Sequence, residues 1–379
     1  MPKASSIQSG QETRKLLPIS TLSIKGFKSI QALDGFVLGD LNVLIGPNGA
    51  GKSNFISFFS MLDELFAQRL QLWTAKQGGA DRIVTFGIKE TPRLEFNLQI
   101  GLNTFTMALE PTASNEFVFA REEYCFDNPS GLVDHLQLGS GHRESKLNTI
   151  QSSVPDSNDV GSTHWRWTVF HFHDTGETAG MKRWASSHDD EFLRWDGSNL
   201  AAFLYRLSRD FPEIYQMICK TVRLAIPFFA DFVFKTRELP TGEEQVWLLW
   251  RQKKSDYLLW PGQLSDGSLR FICLVTALLQ PAPPSLIVLD EPELGLHPTA
   301  IAFLGSLLRS ASKRMQVIVA TQSVSLVNEF AIDDLIIVDR EQGTTRFTRY
   351  KEDAFSSWLE EYSVGELWTK NILDERVAS

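Results

Sequence analysis

The chain is 379 residues long, with 43% hydrophobic and 22% charged residues, which excludes a disordered polypeptide and fits two or three domains or one large one with insertions. Its 37 Lys and Arg against 46 Asp and Glu leave a net charge of −9, which argues against bulk binding to nucleic acid or anionic membrane and leaves only a local basic stripe open. Cys125, Cys219 and Cys273 stand far apart, so neither a zinc ribbon nor a disulfide framework is expected. Residues 1–16 read as a polar tail without the apolar core of a secretory signal. No apolar stretch has the length of a membrane span, so a cytoplasmic protein without a membrane partner is expected. Alternation of apolar and polar residues from Leu22 to Ile30 predicts a strand with a bend at Gly26. Leu41 to Ile45 forms a short apolar strand. A helix is predicted over Lys52–Trp73, with Phe55, Phe58, Phe59, Leu62 and Phe66 on its apolar side and Gly78-Gly79 as the break. Residues 92–126 read as an antiparallel meander. Residues 127–164, rich in Ser, Gly, Asn and Asp, read as an irregular insertion. Trp165 to Phe170 returns to a strand. Residues 190–240 look largely helical, with breaks near Pro212 and Pro227, and Val246 to Trp250 is a strand. A helix starts near Ser265 and ends before Pro281. Leu286–Leu289, Val317–Ala320 and Leu335–Val338 are buried strands, with a helix from Pro298 to Ser312 between the first two. That alternation predicts a parallel α/β sheet.

Two clusters carry chemistry. Gly46, Pro47, Asn48, Gly49, Ala50, Gly51, Lys52 and Ser53 match G-x-x-x-x-G-K-[ST] after a strand and before a helix, as a phosphate-binding loop requires. Its glycines allow backbone N–H groups to surround phosphate oxygens, Lys52 reaches the β- and γ-phosphates, and the Ser53 hydroxyl is a Mg²⁺ ligand. Asp290 and Glu291 end the strand Leu286–Leu289 at the sheet edge where ligands bind. Asp290 suits Mg²⁺, and Glu291 suits orientation or deprotonation of an attacking water.

With those clusters on the page, Leu264-Ser265-Asp266-Gly267-Ser268 resembles the signature of ABC-type ATPases in the form seen in RecF/SMC-like proteins. Asp290 to Pro298 resembles the Walker B segment running into the D-loop, and Leu22 to Ile30 resembles the first strand of that class. His171–Thr175, Trp195–Leu200 and Tyr362–Trp368 resemble a bacterial family of predicted ATPases with such an AAA-annotated head. The resemblance implies an α/β P-loop NTPase fold with an ATP-binding lobe over 17–126 and 285–379. An insertion would occupy 127–189, and a mostly helical lobe over 190–284 would carry the signature. It also implies ATP and Mg²⁺ as cofactors and a homodimer in which Ser265 and Gly267 meet the γ-phosphate held by the other subunit. Ser265 also reads as an ordinary helix N-cap. Many ABC ATPases place a histidine where this chain has Gln322, which hydrogen-bonds but does not titrate near neutral pH. Gln322 is therefore either a catalytic γ-phosphate sensor or a structural strand-end residue.

The biological use that the resemblance favours is a dimeric clamp or switch in anti-phage defence, with a separate nuclease or toxin-like effector. A RecF-like DNA-repair ATPase, a transporter subunit and a non-enzymatic ATP-binding scaffold are the alternatives. Contact with DNA is left open, since the basic residues are scattered. Gln77 is a weak candidate for the family's Q-loop. His171, His173 and Asp174 invite a metal reading but lack further spaced ligands, so a structural or interface role is preferred. Trp358, Tyr362 and Trp368 are expected to pack back onto the head rather than to dock a partner.

Overall fold

The structure is a computed structural model, and it describes residues 17–127, 133–147 and 167–373. The expected polar tail and most of the expected insertion lie outside these residues, as does Trp165. The N-terminal part runs β1 (Ile19–Phe27), β2 (Ile30–Val37), β3 (Leu41–Ile45), α1 (Lys52–Phe66) and α2 (Leu70–Lys76). An antiparallel series follows: β4 (Leu94–Ile100), β5 (Asn103–Pro111), β6 (Phe117–Asp127) and β7 (Val133–Gly139). Then come β8 (Trp167–Phe170), β9 (Ala185–Ser186), α3 (Leu200–Asp210), α4 (Pro212–Ala225), β10 (Phe229–Glu238), β11 (Glu244–Gln252), β12 (Leu258–Leu259) and α5 (Asp266–Leu279). The chain continues with β13 (Leu286–Asp290), α6 (Pro298–Ala311), β14 (Gln316–Thr321), α7 (Val324–Val327), β15 (Leu335–Glu341), β16 (Thr344–Thr348), α8 (Ser356–Leu359) and α9 (Val364–Thr369).

Three sheets organise these elements. The central one has the order β16-β15-β3-β14-β13-β8 and is parallel except for β16. Its inner strands β3, β13 and β14 are buried on both sides, as a sheet covered on both faces requires. Alternate residues feed two cores. Val43, Ile287, Leu289, Val317 and Val319 join the core shared with α3 to α6, whereas Leu44, Val288, Ile318 and Ala320 join the core shared with α1 and the antiparallel sheet. That second sheet has the order β2-β1-β4-β5-β6-β7. The third is β10-β11-β12 with β9 also on β11, and it adjoins α3 and α4.

The structure differs from the sequence-based expectation in several elements. The helix expected over Lys52–Trp73 is two helices, because Gln68 turns to φ 56° and breaks the first. The second is started by a distant side chain: the Glu144 carboxylate accepts the N–H groups of Leu70 at 2.8 Å and Gln71 at 3.0 Å. Phe229–Glu238, expected within a helical run, is a strand whose Phe232 and Phe234 meet Tyr215 of α4 and Tyr205 of α3. Val133–Gly139, expected within the irregular insertion, pairs with β6. Tyr362 and Trp368 pack against the main core, as expected, and Trp358 is 39% exposed. Among the described residues no helix is long and apolar enough to cross a membrane.

A single buried side chain ties the central sheet to the antiparallel one. Gln316, 2% exposed at the start of β14, accepts the Ile19 N–H at 3.0 Å and donates to the Ile19 and Gly39 carbonyls, both at 2.9 Å. Gln316→Ala leaves these three backbone groups without that partner, so a loss of about 2–4 kcal/mol is expected, read as a lowered urea midpoint.

Candidate functional site

The phosphate loop is held from outside by hydroxyls. Gly51 caps α1 at φ 118°, and a Cβ there would lie 2.0 Å from Thr345 Oγ1, so glycine is required by both conformation and space. The Thr345 hydroxyl donates to the Ala50 carbonyl at 2.9 Å. It therefore accepts from Ser29 Oγ at 2.6 Å, which in turn accepts from Asn54 Nδ2 at 2.6 Å. This relay joins the turn after β1, the loop and β16. Lys52, 5% exposed, donates to the carbonyls of Gly46 at 2.7 Å and Pro47 at 3.1 Å. Burial pushes its pKa down, against the opposing pull of Glu291, Asp290 and Glu293.

The acids reach the same edge by strand register. Asp290 pairs with Ala320, and Ala320 with Leu44, so β13, β14 and β3 end level with one another. Two inter-strand spacings put the acids and the phosphate loop about 10 Å apart along the edge. Burial raises the Asp290 pKa, and neighbouring Glu291 raises it further. Glu291 adopts a left-handed φ of 42°, with its N–H donated to the Ala320 carbonyl at 2.8 Å. Its Oε1 accepts Gln322 Nε2 at 2.5 Å. Glu293, 9% exposed, accepts the Thr321 hydroxyl at 2.5 Å on Oε1, while its Oε2 has no hydrogen-bond partner. Burial raises its pKa as well. Consecutive residues at the end of β14 thus each hold one acid of the β13 loop.

The signature segment lies against that loop. Ser265 is the N-cap of α5, accepting the Ser268 N–H at 3.2 Å and donating to its hydroxyl at 2.9 Å. A Cβ on Gly267 would sit 2.0 Å from the Gly295 carbonyl oxygen, so the start of α5 and the turn after the acids meet backbone to backbone. Arg270 reinforces the contact. Its guanidinium donates to the carbonyls of Leu294 at 2.8 Å, His173 at 2.9 Å and Phe172 at 3.1 Å.

Other residues singled out from the sequence take the following places. Gln77 accepts Lys28 Nζ at 3.2 Å, an ammonium also bound to Ser57 at 2.6 Å, and so sits beside the turn after β1. His171 and His173 follow β8 instead of lying on it, with ring centres 6.1 Å apart. Among the described residues no group of three or more His, Cys, Asp and Glu could hold a metal ion by itself. Burial lowers the His171 pKa, with His173 adding to the effect. His297 caps α6, its Nδ1 accepting the Thr299 N–H at 3.3 Å. Cys219 and Cys273 are fully buried. Sequence reasoning missed Thr345, Ser29, Glu293 and Arg270. Only Arg270 carries a visible signal, as the one charged residue between Gly267 and Leu279.

Thr345→Val keeps the shape that packs on Gly51 and removes the hydroxyl that fixes Ala50. The loss of this buried hydrogen bond is expected to cost about 1 kcal/mol of stability, read as a lowered urea midpoint, and to weaken binding of a fluorescent ATP analogue by loosening the loop.

Comparison with known proteins gives the fold and the family. No curated protein sequence matches the chain. Its fold is similar to an Smc head bound to the C-terminal winged-helix domain of ScpA, with a TM-score of 0.54, 14% identity, and coverage of 89% of this chain and 99% of the other. It is equally similar to an Smc head domain with an extended coiled coil, bound to the C-terminal domain of ScpA, from Pyrococcus furiosus. There the TM-score is 0.54 at 15% identity, covering 91% of this chain and 99% of the other. At such identities the likeness is one of fold, that of a P-loop NTPase head of the ABC type. A family profile matches residues 41–328, from the strand before the phosphate loop to the end of the helix after Gln322. The chain belongs to the family described as AAA domain, putative AbiEii toxin, type IV toxin–antitoxin system.

Proposed function

We propose that the chain hydrolyses ATP to ADP and phosphate at two sites shared between two copies. It would serve as a nucleotide-driven clamp or switch in anti-phage defence, acting with a separate nuclease or toxin-like effector. The observation that carries the proposal is the common level of the phosphate loop, Asp290 and Glu291 on one sheet edge, with the Glu291 carboxylate held by Gln322.

In this reading the backbone N–H groups from Gly46 to Ser53 receive the phosphates, and Lys52 exchanges its two loop carbonyls for β- and γ-phosphate oxygens. The Ser53 hydroxyl and the Asp290 carboxylate suit a hard, oxygen-seeking cation such as Mg²⁺, and three buried or half-buried acids with a single Lys52 ammonium leave the edge short of positive charge. Mg²⁺ there supplies charge neutralisation across the β- and γ-phosphates. Glu291 orients the attacking water and accepts its proton. Gln322 fixes the carboxylate and contacts the γ-phosphate by hydrogen bonding alone. Ser265 and Gly267 act on the nucleotide of the other copy, because in their own chain they abut the turn at Gly295 instead of the phosphate loop. The family description, a putative toxin of a type IV toxin–antitoxin system, supports the defence setting.

Lys52→Ala is expected to remove most ATP affinity in a binding titration. Glu291→Gln should retain binding, slow phosphate release roughly 10²–10⁴-fold and accumulate an ATP-bound dimer in light scattering. Wild-type turnover in that variant would remove Glu291 from the mechanism. Ser265→Arg should bind nucleotide yet neither dimerise nor hydrolyse it, and hydrolysis by this variant as a monomer would overturn the shared site. Gln322→Ala should slow phosphate release, and normal turnover would make the residue purely structural.

A further inference from the structure

The third sheet has two unlike faces. Val246, Leu248 and Trp250 of β11, with Phe232 of β10, are buried towards α3 and α4. The opposite face carries Trp247 of β11, with Lys235 of β10 directly across from it and Trp184 beside it, just before β9. Trp184 and Trp247 stack with ring centres 5.3 Å apart and planes 25° apart. Trp260, directly after β12, meets Trp247 edge-on at 5.5 Å. The Arg237 guanidinium lies 4.2 Å from the centre of the Trp184 ring. Arg251 stands across from Leu258 on the same side.

Two properties separate this face from a packed core surface. Trp260 is 52% exposed, and the neighbouring Tyr257 and Leu258 are 64% and 41% exposed. Lys235, Arg237 and Arg251 stand on this side in a chain whose net charge is −9, and the one acid in the same register set, Asp231 across from Arg251, is engaged by the Tyr215 hydroxyl and the Cys219 thiol of α4. A half-exposed indole set against an aromatic pair and flanked by cations matches a ligand that carries an aromatic face and an anion in each repeat. A single-stranded nucleic acid has that chemistry. In a duplex the base faces are already stacked on one another and cannot be offered to indoles.

We propose that this face binds single-stranded nucleic acid, with a base stacking on the half-exposed Trp260 indole beside the Trp184–Trp247 pair and phosphates against Lys235, Arg237 and Arg251. The platform is also tied to the signature helix. The Trp247 indole donates to the Lys182 carbonyl at 3.2 Å, and the Lys182 ammonium donates to Asp266, the first residue of α5, at 3.4 Å. From Trp260 a single turn, Pro261–Gln263, leads to Leu264 and Ser265. An occupied platform therefore acts on the segment assigned to the second copy's nucleotide. That link alone rests on the proposed ATPase mechanism.

The test uses the full chain without nucleotide and fluorescein-labelled oligothymidylate, oligouridylate and a duplex, each about twenty nucleotides long, read by anisotropy. Single strands are expected to bind and the duplex to bind more weakly, and the ratio of the two single strands sorts DNA from RNA. Trp260→Ala should weaken binding about tenfold, as loss of one stacked base predicts. Arg237→Gln should weaken it and reduce the salt slope by about 1. Melting temperatures check folding, and if Trp260→Ala fails to fold, Arg237→Gln and the exposed Lys235→Gln still decide. The proposal is overturned if neither single strand binds at near-physiological salt, if the folded variants bind as wild type, or if the duplex binds as tightly. It is also overturned if these substitutions change only the mass in light scattering, which would assign the face to a second copy. Single-strand stimulation of ATP turnover, lost in Trp260→Ala, tests the link to α5. Failure of the ATPase mechanism would leave the nucleotide-free binding unchanged.

Discussion

The site depends on one constraint: a parallel sheet apolar on both faces can place polar chemistry only at its strand ends. Every residue of β3 and the first four of β13 are buried, so the strands themselves offer no site for charge. The register that pairs Asp290 with Ala320 and Ala320 with Leu44 then brings the acids level with the phosphate loop. A slip of one strand would move an acid along the edge and exchange its apolar residues between the two cores. Packing on both faces therefore fixes the alignment of the site.

Crowding that edge carries an electrostatic cost. Burial disfavours the charged forms of Lys52, Asp290 and Glu293 alike, and the ammonium and the carboxylates partly offset one another. The chain satisfies most of these groups locally. Lys52 takes loop carbonyls, Glu291 takes Gln322 and Glu293 takes Thr321 on one oxygen. The unpartnered Oε2 of Glu293 remains, a buried acceptor beside the proposed reaction centre.

The signature lobe is joined to this edge through backbone. Gly267 lets α5 close onto Gly295, and Arg270 draws the Leu294 carbonyl together with those of Phe172 and His173 after β8. The start of α5 and the turn that follows Glu291 and Glu293 are thereby in direct contact. The same helix begins one short turn after the tryptophan face.

Much of this was legible in the residues themselves. The phosphate loop, the acid pair, the apolar strands and the signature are local patterns whose chemistry follows from residue type and spacing, so the P-loop NTPase fold could be read from them. Other features had no local signal. The break after Phe66 depends on Glu144, some 75 residues away, capping a new helix, and Phe229–Glu238 forms a strand because β11 pairs with it across a hairpin. Thr345 reaches the phosphate loop only because β16 follows β15 onto the central sheet, and Glu293 meets Thr321 only because β13 and β14 are neighbours. The sequence by itself determined which chemical groups the protein possesses and which strands must be buried, since both follow from side chains and their period. Tertiary structure alone decided which distant hydroxyl, carbonyl or indole stands beside each group, because strand order and register are set by the collective packing of both faces of the sheet.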